Sequence, residues 1–397
     1  MIYLNQTIYQ MQILILLNFA AALQGVFLTW LIAHNKPKDA KSLVLGLLTF
    51  VLSVSLLGGI YGMTGYYKVF PHLVNVMDPL FLLYGPLLYI YIFVLTQNRM
   101  PKKYFLHILP FVIYIISFIP LYLKSGDEKI QFAEYIFLSE KVPVKGLLMQ
   151  LGRVVYIAAY VIVSLILVRT HEKKIKDNFS NIEKISLSQA KRILYLFLVV
   201  LVVALISFFL GYRFSYSFSV SNNIIGFFVG ILIYALAYST WKTNSIVTKE
   251  MVDEKLLKAK EVQNDAKSKG RTIFILSDDK LNKFKTRLEK AIKEEKLFTE
   301  NELSLAELSK KIDIQPYQLS ELISRVYGES FFDFINRYRI EEIKLRLQDS
   351  NSDSFSLLGI AMDCGFNSKS SFNTAFKKFT GQTPSEYRTQ TLVRASG

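Results

Sequence analysis

Apolar blocks with almost no charge fill most of the first 240 residues, and the pattern changes abruptly after Trp241. Each block approaches the roughly 20 residues that a helix needs to cross a bilayer. A cleaved signal peptide is the alternative for the first block, but no basic residue precedes it. We predict seven transmembrane helices, at about residues 11–33, 42–62, 73–95, 104–123, 147–168, 193–211 and 222–240.

Beyond these blocks, apolar residues recur at helical spacing among many charges. Residues 249–269 carry a weak stripe of Val252, Leu256 and Ala259. The stripe is compatible with a solvated helical stalk or with a short coiled coil that pairs two copies of the chain. A second amphipathic helix is predicted at about 278–296.

Two helix-turn-helix patterns follow one another near the C-terminus. In the first, Ser304 and Glu307 have the spacing of a capping box, which predicts a helix start. Pro316 stands at the start of the next helix and Gly328 ends it. A long helix at 331–348 then leads to the second pattern.

The second pattern centres on a turn at Cys364-Gly365-Phe366. The helix that follows, from Ser368 to Phe379, has aromatic residues at positions i, i+4 and i+7, which form one buried stripe. These residues are Phe372, Phe376 and Phe379. A last helix is predicted from Ser385.

These motifs resemble the arabinose-regulator (AraC/XylS) family of transcription factors over about residues 300–390. The second unit carries that family's closing signature in Gly365-Phe366, Phe372, Phe376-Lys377-Lys378, Gly381, Thr383-Pro384 and Tyr387-Arg388. The first unit matches more loosely through Leu305, Leu308, Leu319, Gly328 and Arg339-Ile340. The resemblance implies two helix-turn-helix subdomains joined by a helix, with both recognition helices in successive major grooves of DNA.

A recognition helix presents its N-terminal residues to base edges in the major groove. Short polar side chains on the second recognition helix suit base edges, and Lys377 and Lys378 suit phosphates. On the first recognition helix, Glu321 stands where the family often has a basic residue. Its carboxylate can accept a hydrogen bond from cytosine N4, but it also repels phosphate. An ordinary solvated helix face is the alternative. The predicted DNA-contacting residues are Tyr317, Ser320, Glu321, Ser324, Arg325, Lys369, Ser370, Ser371, Asn373, Thr374, Lys377 and Lys378.

The net charge of +15 lies mostly in residues 1–241, which hold 20 Lys and Arg against 9 Asp and Glu. In this region the excess of Lys and Arg indicates membrane topology rather than affinity for DNA. Loops after the first, third and fifth predicted spans are rich in Lys and Arg, and the intervening loops are poorer or balanced by acids. The positive-inside rule therefore predicts an outside N-terminus and a cytoplasmic C-terminal region. An odd number of spans predicts the same.

Enzyme, metal and cofactor chemistry is not indicated. The sequence has no phosphate-binding glycine loop, no HExxH and no GxSxG motif. Its four histidines lie in the membrane half without metal-ligand spacing, so no metal or cofactor is predicted. Cys364 is the single cysteine and is expected to be a free thiol.

Asp78 and Arg153 lie inside the outer boundaries of their predicted spans. Ionisable groups at such depth are costly, and they are usually paired with each other or functional. The two residues are therefore candidates for a structural ion pair or for a ligand site.

Together these patterns predict an all-α inner-membrane protein with seven spans, which regulates transcription by binding promoter DNA. The alternative is a multi-span transporter or membrane enzyme with a regulatory helical tail. Expected partners are double-stranded promoter DNA and the lipid bilayer, with RNA polymerase, a signal ligand and a second copy of the chain as further candidates. The predicted divisions are a transmembrane sensor at 1–241, a charged linker at 242–300, the DNA-binding domain at 301–390 and a tail at 391–397.

Overall fold

The computed structural model describes residues 2–34, 39–138, 144–182, 187–214, 218–244, 278–348 and 355–395. Within these ranges the regular secondary structure is helical, apart from an isolated antiparallel bridge between Phe179 and Ser304. The predicted all-α fold class is confirmed. The chain divides into two compact units, one made of Met1–Arg169 and Leu187–Val247, the other of Thr170–Ser186 and Thr248–Gly397.

The first unit holds the apolar helices. Two 3₁₀ turns, Pro71–Leu73 and Asp78–Leu83, lead into the third helix. Its helices are α1 (Ile2–His34), α2 (Ala40–Met63), α3 (Tyr84–Gln97), α4 (Leu109–Ser117), α5 (Ile119–Tyr122), α6 (Gly126–Phe137), α7 (Val144–Lys176), α8 (Ser188–Phe214) and α9 (Phe218–Asn244). The last turns of α7, from Thr170 onwards, belong to the second unit.

Among the described residues, six helices are long and apolar enough to cross a membrane, judged by length and composition. They correspond to six of the seven predicted spans. The exception is 104–123, where the chain breaks at Phe118 into α4, with nine residues, and α5, with four. Pro120 explains the break, because proline has no N–H to donate and its ring clashes with the carbonyl four residues earlier. The predicted count of seven is not confirmed. Because the six long helices are an even number, the number of helices no longer supports the predicted topology.

Small residues allow α1, α2 and α9 to pack closely. A Cβ atom on Gly25 would lie 1.9 Å from Ser53 Oγ, and one on Gly230 would lie 2.9 Å from the Ala21 side chain. Asn18 donates from Nδ2 to Asn223 Oδ1 at 3.1 Å, in a buried pair that joins α1 to α9. Close backbone approach and buried polar pairs of this kind hold helices together in membranes, where the hydrophobic effect between helices is absent.

The loop between the predicted fourth and fifth spans contains a helix that the sequence analysis did not predict. The helix is α6, and Ser125 caps it with a full capping box to Glu128. Ser125 N donates to Glu128 Oε2 at 3.0 Å, and Glu128 N donates back to Ser125 Oγ at 3.4 Å. A Ser followed by Glu three residues later is visible in the sequence, so this start could have been found.

The second unit contains seven described helices. They are α10 (Asp278–Lys293), α11 (Leu305–Lys311), α12 (Pro316–Leu322), α13 (Phe331–Gln348), α14 (Leu357–Asp363), α15 (Lys369–Thr380) and α16 (Pro384–Ala395). A π turn, Ile323–Tyr327, extends α12 up to Gly328. The predicted bounds 331–348 of the long helix are confirmed by α13. The predicted stripe at 249–269 lies outside the described residues.

Two hydrophobic cores share α13. The first buries Leu288 and Ile292 of α10 together with residues of α11 and α12 and Phe334 of α13. The second buries Ile343 of α13 with the aromatic stripe of α15. The helix α10, which the sequence analysis assigned to a linker, therefore contributes to the core of the first helix-turn-helix unit.

Candidate nucleic-acid interface

Capping hydrogen bonds fix the start of the first helix-turn-helix unit. Ser304 N donates to Glu307 Oε2 at 2.8 Å, and Glu307 N donates to Ser304 Oγ at 3.2 Å, so the predicted capping box is confirmed. The turn after α11 places Asp313 at φ +53°, a conformation that short polar side chains tolerate. Pro316 then occupies the first turn of α12, where its missing N–H costs no hydrogen bond.

The first predicted recognition helix corresponds to α12 with its π extension. Leu319, Leu322 and Ile323 are buried and fix the helix against the first core. Of the five predicted DNA-contacting residues, three are exposed and two are half-buried. The exposed ones are Tyr317, Ser324 and Arg325, and the half-buried ones are Ser320 and Glu321.

Glu321 faces a basic partner on the same helix. Arg325 Nη1 lies 3.7 Å from Glu321 Oε1 at i, i+4 spacing. The guanidinium offsets the carboxylate charge that would repel a phosphate. The exposed face of this helix is therefore less basic than Arg325 alone suggests.

The second unit is built on a tight turn before its recognition helix. Ser368 caps α15 by accepting from Ser371 N at 3.2 Å. Phe372 and Phe376 are buried, as the predicted stripe requires, while Phe379 is half-buried. Gly381 ends the helix at φ +77°.

The outer face of α15 carries most of the predicted contact residues in exposed positions. These are Lys369, Ser370, Asn373, Thr374, Lys377 and Lys378. Two hydroxyl groups are used within the helix. Ser371 is half-buried and donates to Ser368 O at 3.0 Å, and Thr374 donates to Ser370 O at 2.9 Å. Ser371 thus belongs to the cap, and Lys369 and Asn373 are the longer polar groups on this face.

Lys378 differs from Lys377 in its surroundings. Its Nζ lies 2.6 Å from Asp333 Oδ1 on α13. The ion pair links α15 to the first turn of α13. Lys378 therefore supports the orientation of α15, and an ammonium group paired in this way is less suited to a phosphate than that of Lys377.

Arg339 of α13 is buried in the compact unit that contains both helix-turn-helix units. The sequence assigned it only to the family motif and predicted no further role for it. Its side chain is 1% exposed. Burial lowers the pKa of the Arg339 guanidinium to about 10. It donates to Phe298 O and Glu300 O, each at 2.7 Å, and to Asn336 Oδ1 at 3.3 Å. A buried cation needs such acceptors to offset the loss of water.

In the first unit of the chain, the structure brings Asp78 and Arg153 together. Arg153 donates to both carboxylate oxygens of Asp78, at 3.1 and 2.6 Å. Tyr114 donates to Asp78 Oδ2 at 2.8 Å, and the Arg153 guanidinium lies 4.0 Å from the centre of the Phe81 ring. Both carboxylate oxygens of Asp78 are thus engaged within the protein.

No group of His, Cys, Asp and Glu side chains within the described ranges is arranged to hold a metal ion. Cys364 is buried and its thiol is free. Burial raises the pKa of the Cys364 thiol to about 11, so the thiolate is disfavoured at neutral pH.

Comparison with known proteins gives one family match with defined residues and several similar proteins. Residues 308–390 match a family described as "Helix-turn-helix domain". An uncharacterized HTH-type transcriptional regulator from Staphylococcus aureus (strain COL) is 37% identical over 114 residues, which is 29% of this chain and 14% of that protein. The regulator YtdP from Bacillus subtilis (strain 168), also uncharacterized, is 30% identical over 91 residues, which is 23% of this chain and 11% of that protein.

A solved structure of a protein of unknown function from Listeria innocua is 32% identical and covers 26% of this chain and 93% of its own, with a TM-score of 0.23. The chain spans about one seventh or less of the length of the two regulators named above. Residues 308–390 of this chain are therefore similar to the helix-turn-helix domain of AraC-type transcription regulators.

Proposed function

We propose that this chain is a membrane-integrated transcription regulator that binds specific promoter DNA through its double helix-turn-helix domain. One observation carries the proposal: six long apolar helices and an AraC-type domain with an exposed polar recognition face belong to one chain. A tail of this kind acts on DNA that comes to the inner surface of the membrane.

The second recognition helix supplies the groups that read bases. Asn373 offers the amide that pairs with adenine N6 and N7, and Lys369 offers a donor for guanine O6 and N7. Lys377, one turn further along α15, contacts a phosphate and sets the register without reading sequence. The first unit contributes less affinity, because its exposed Arg325 lies beside Glu321.

The topology has the N-terminus outside and the C-terminal domain in the cytoplasm. The alternation of basic loops supports it. A second support is that residues 170–186 and the DNA-binding domain belong to one compact unit, which requires them to share one side of the membrane. In this arrangement 104–123 crosses the bilayer as a segment that is broken at Phe118.

We also infer that the Asp78–Arg153 pair is structural. Each carboxylate oxygen already accepts a hydrogen bond from Arg153, and Tyr114 adds another. An ion pair satisfied in this way stabilises the packing of α4 and α7 on the turn that precedes α3. RNA polymerase, a signal ligand and a second copy of the chain stay predictions of the sequence analysis.

Retention of duplex DNA by the detergent-solubilised full chain tests the proposal. The affinity should fall steeply with rising salt, since phosphate contacts release counterions. Lys377→Ala should weaken binding to all sequences, whereas Asn373→Ala should change the preference between sequences, at about 1–3 kcal/mol per lost base contact. Lys283→Ala removes the same charge from an exposed position of α10 and serves as the control. If the full chain retains no duplex, or if all three variants act alike, the DNA-reading role is wrong.

Reporter fusions after residues 65, 130 and 245 test the topology. We expect outside, outside and cytoplasmic positions, respectively. A cytoplasmic reading at 130 would mean that 104–123 does not cross the membrane. An outside reading at 245 would contradict the whole proposal, because the domain could not reach DNA.

A further inference from the structure

The segment that follows the membrane-spanning part of α7 packs on the DNA-binding domain. We call residues 175–180 the docking strap. Leu305 N donates to Asn178 O at 2.9 Å, and Ser180 N donates to Leu303 O at 3.2 Å. These two bonds frame the bridge between Phe179 and Ser304 and tie the strap to the start of α11.

Ser180 is the polar anchor of the strap. It is 2% exposed, and its hydroxyl donates to Leu303 O at 2.6 Å. The same hydroxyl accepts from Arg339 Nη2 at 3.3 Å, and the Ser180 carbonyl accepts from Asn336 Nδ2 at 3.4 Å. All polar groups of Ser180 are therefore used by the DNA-binding domain.

Apolar burial accompanies these hydrogen bonds. Ile175, in the last turn of α7, is 2% exposed. Lys176 Nζ lies 5.9 Å from the centre of the Phe332 ring on α13. The strap thus contacts the DNA-binding domain through backbone hydrogen bonds, side-chain hydrogen bonds and one cation–π approach, made by four of its six residues.

The strap reaches the residue that connects both helix-turn-helix units. Arg339 binds Phe298 O and Glu300 O beside the first unit, and its guanidinium lies 5.7 Å from the centre of the Phe366 ring in the second. Ser180 supplies a further acceptor to this buried cation. A shift of the strap therefore changes the hydrogen bonding of the side chain on which the two units meet.

The DNA-reading faces are left open by the strap. Its contacts are with Leu303, Ser304, Leu305, Phe332, Asn336 and Arg339. None of the twelve predicted DNA-contacting residues is among them. Docking and DNA binding are therefore compatible, and the strap acts as an anchor and not as a lid.

We propose that the docking strap is an intrachain docking site through which the membrane half controls the DNA-binding domain. It holds the domain at a second point besides the covalent connection through residues 245–277, and Ser180 transmits its position to Arg339. The regulatory part rests on the proposed function, whereas the docking itself does not.

Disulfide trapping in the full chain tests the docking. In an antiparallel bridge flanked by these two hydrogen bonds, the facing Cα atoms are about 4.5 Å apart, which is within the range that a disulfide spans. Phe179→Cys with Ser304→Cys, in a Cys364→Ala background and in native membranes, should form a disulfide under mild oxidation. A protease site placed between residues 249 and 269 reports it, because the two fragments stay joined only while oxidised.

The control pairs Phe179→Cys with Lys310→Cys, an exposed position of α11. Lys310 lies six residues beyond Ser304, roughly 9 Å along the helix, too far for a disulfide. Equal cross-linking of both pairs, or none in either, would overturn the docking. A chain that cross-links at 179–304 but retains no DNA would instead refute the proposed function and leave the docking intact.

Control of DNA binding is tested with Ser180→Lys, which sets an ammonium group against Arg339, and with Ser180→Thr, which keeps the hydroxyl. The probe is a duplex selected from a random library by the unmodified full chain. We expect Ser180→Lys to abolish the 179–304 cross-link and to change retention of the duplex at least several-fold, while Ser180→Thr changes neither. Loss of the cross-link with unchanged retention would overturn the regulatory role.

Discussion

Replacement of Gly365 by alanine tests whether Arg339 and the turn of the second unit depend on each other. Gly365 has φ +97°, and a Cβ atom there would lie 2.8 Å from each of three atoms: Arg339 Nε, Phe298 O and Thr299 O. Two of these atoms belong to the backbone and cannot yield without moving the chain. Arg339 must then leave Phe298 O, to which it donates at 2.7 Å.

The expected loss of folding free energy in Gly365→Ala has two parts. Forcing a residue with a Cβ atom into positive φ costs about 1–2 kcal/mol. A buried carbonyl that loses its hydrogen bond adds about 1–3 kcal/mol. Gly365→Ala should therefore destabilise the domain by about 2–5 kcal/mol. Gly381→Ala is the matched control, because Gly381 has φ +77° with nothing within 4 Å of the added Cβ atom, so only the first part applies.

Hydrogen exchange of the full chain in detergent measures the free energy of local opening for the peptides around Phe298 and Arg339. The difference of about 1–3 kcal/mol between the two variants corresponds to about 5- to 150-fold faster exchange in Gly365→Ala. Equal exchange in Gly365→Ala and Gly381→Ala would refute the reasoning, because the contact with Arg339 would then cost nothing.

Two further predictions concern the second helix-turn-helix unit. Lys377→Ala should reduce the slope of log affinity against log salt by about one, whereas Lys378→Ala should reduce it less, because Lys378 is paired with Asp333; equal slopes, from salt titrations of both variants, would contradict this difference. Cys364 should react with N-ethylmaleimide at pH 8 far more slowly in the folded chain than after denaturation, since burial raises its pKa to about 11; rapid labelling of the folded chain, followed by mass spectrometry, would contradict its burial.

Several features of the fold are local, and the sequence predicts them well. The capping box of Ser304 and Glu307 and the long helix at 331–348 depend on neighbours three or four residues away, and both are confirmed. The AraC-type domain could be recognised because its glycine, proline and phenylalanine positions serve local turns and one buried stripe. The broken segment at 104–123 shows where prediction from the sequence fails. The high apolarity of the segment predicted one continuous helix, although Pro120 was visible in the sequence and breaks helices.

The contacts that join distant parts of the chain were decided by the tertiary structure alone. Ser180 and Arg339 are 159 positions apart, and Lys378 and Asp333 are 45 apart, so no periodicity links either pair. The sequence determines which segments are apolar, where helices start and which faces are polar, since these follow from nearest neighbours. Which loop is docked on which helix depends on packing of whole surfaces, and for that reason the strap on the DNA-binding domain became visible only in the folded chain.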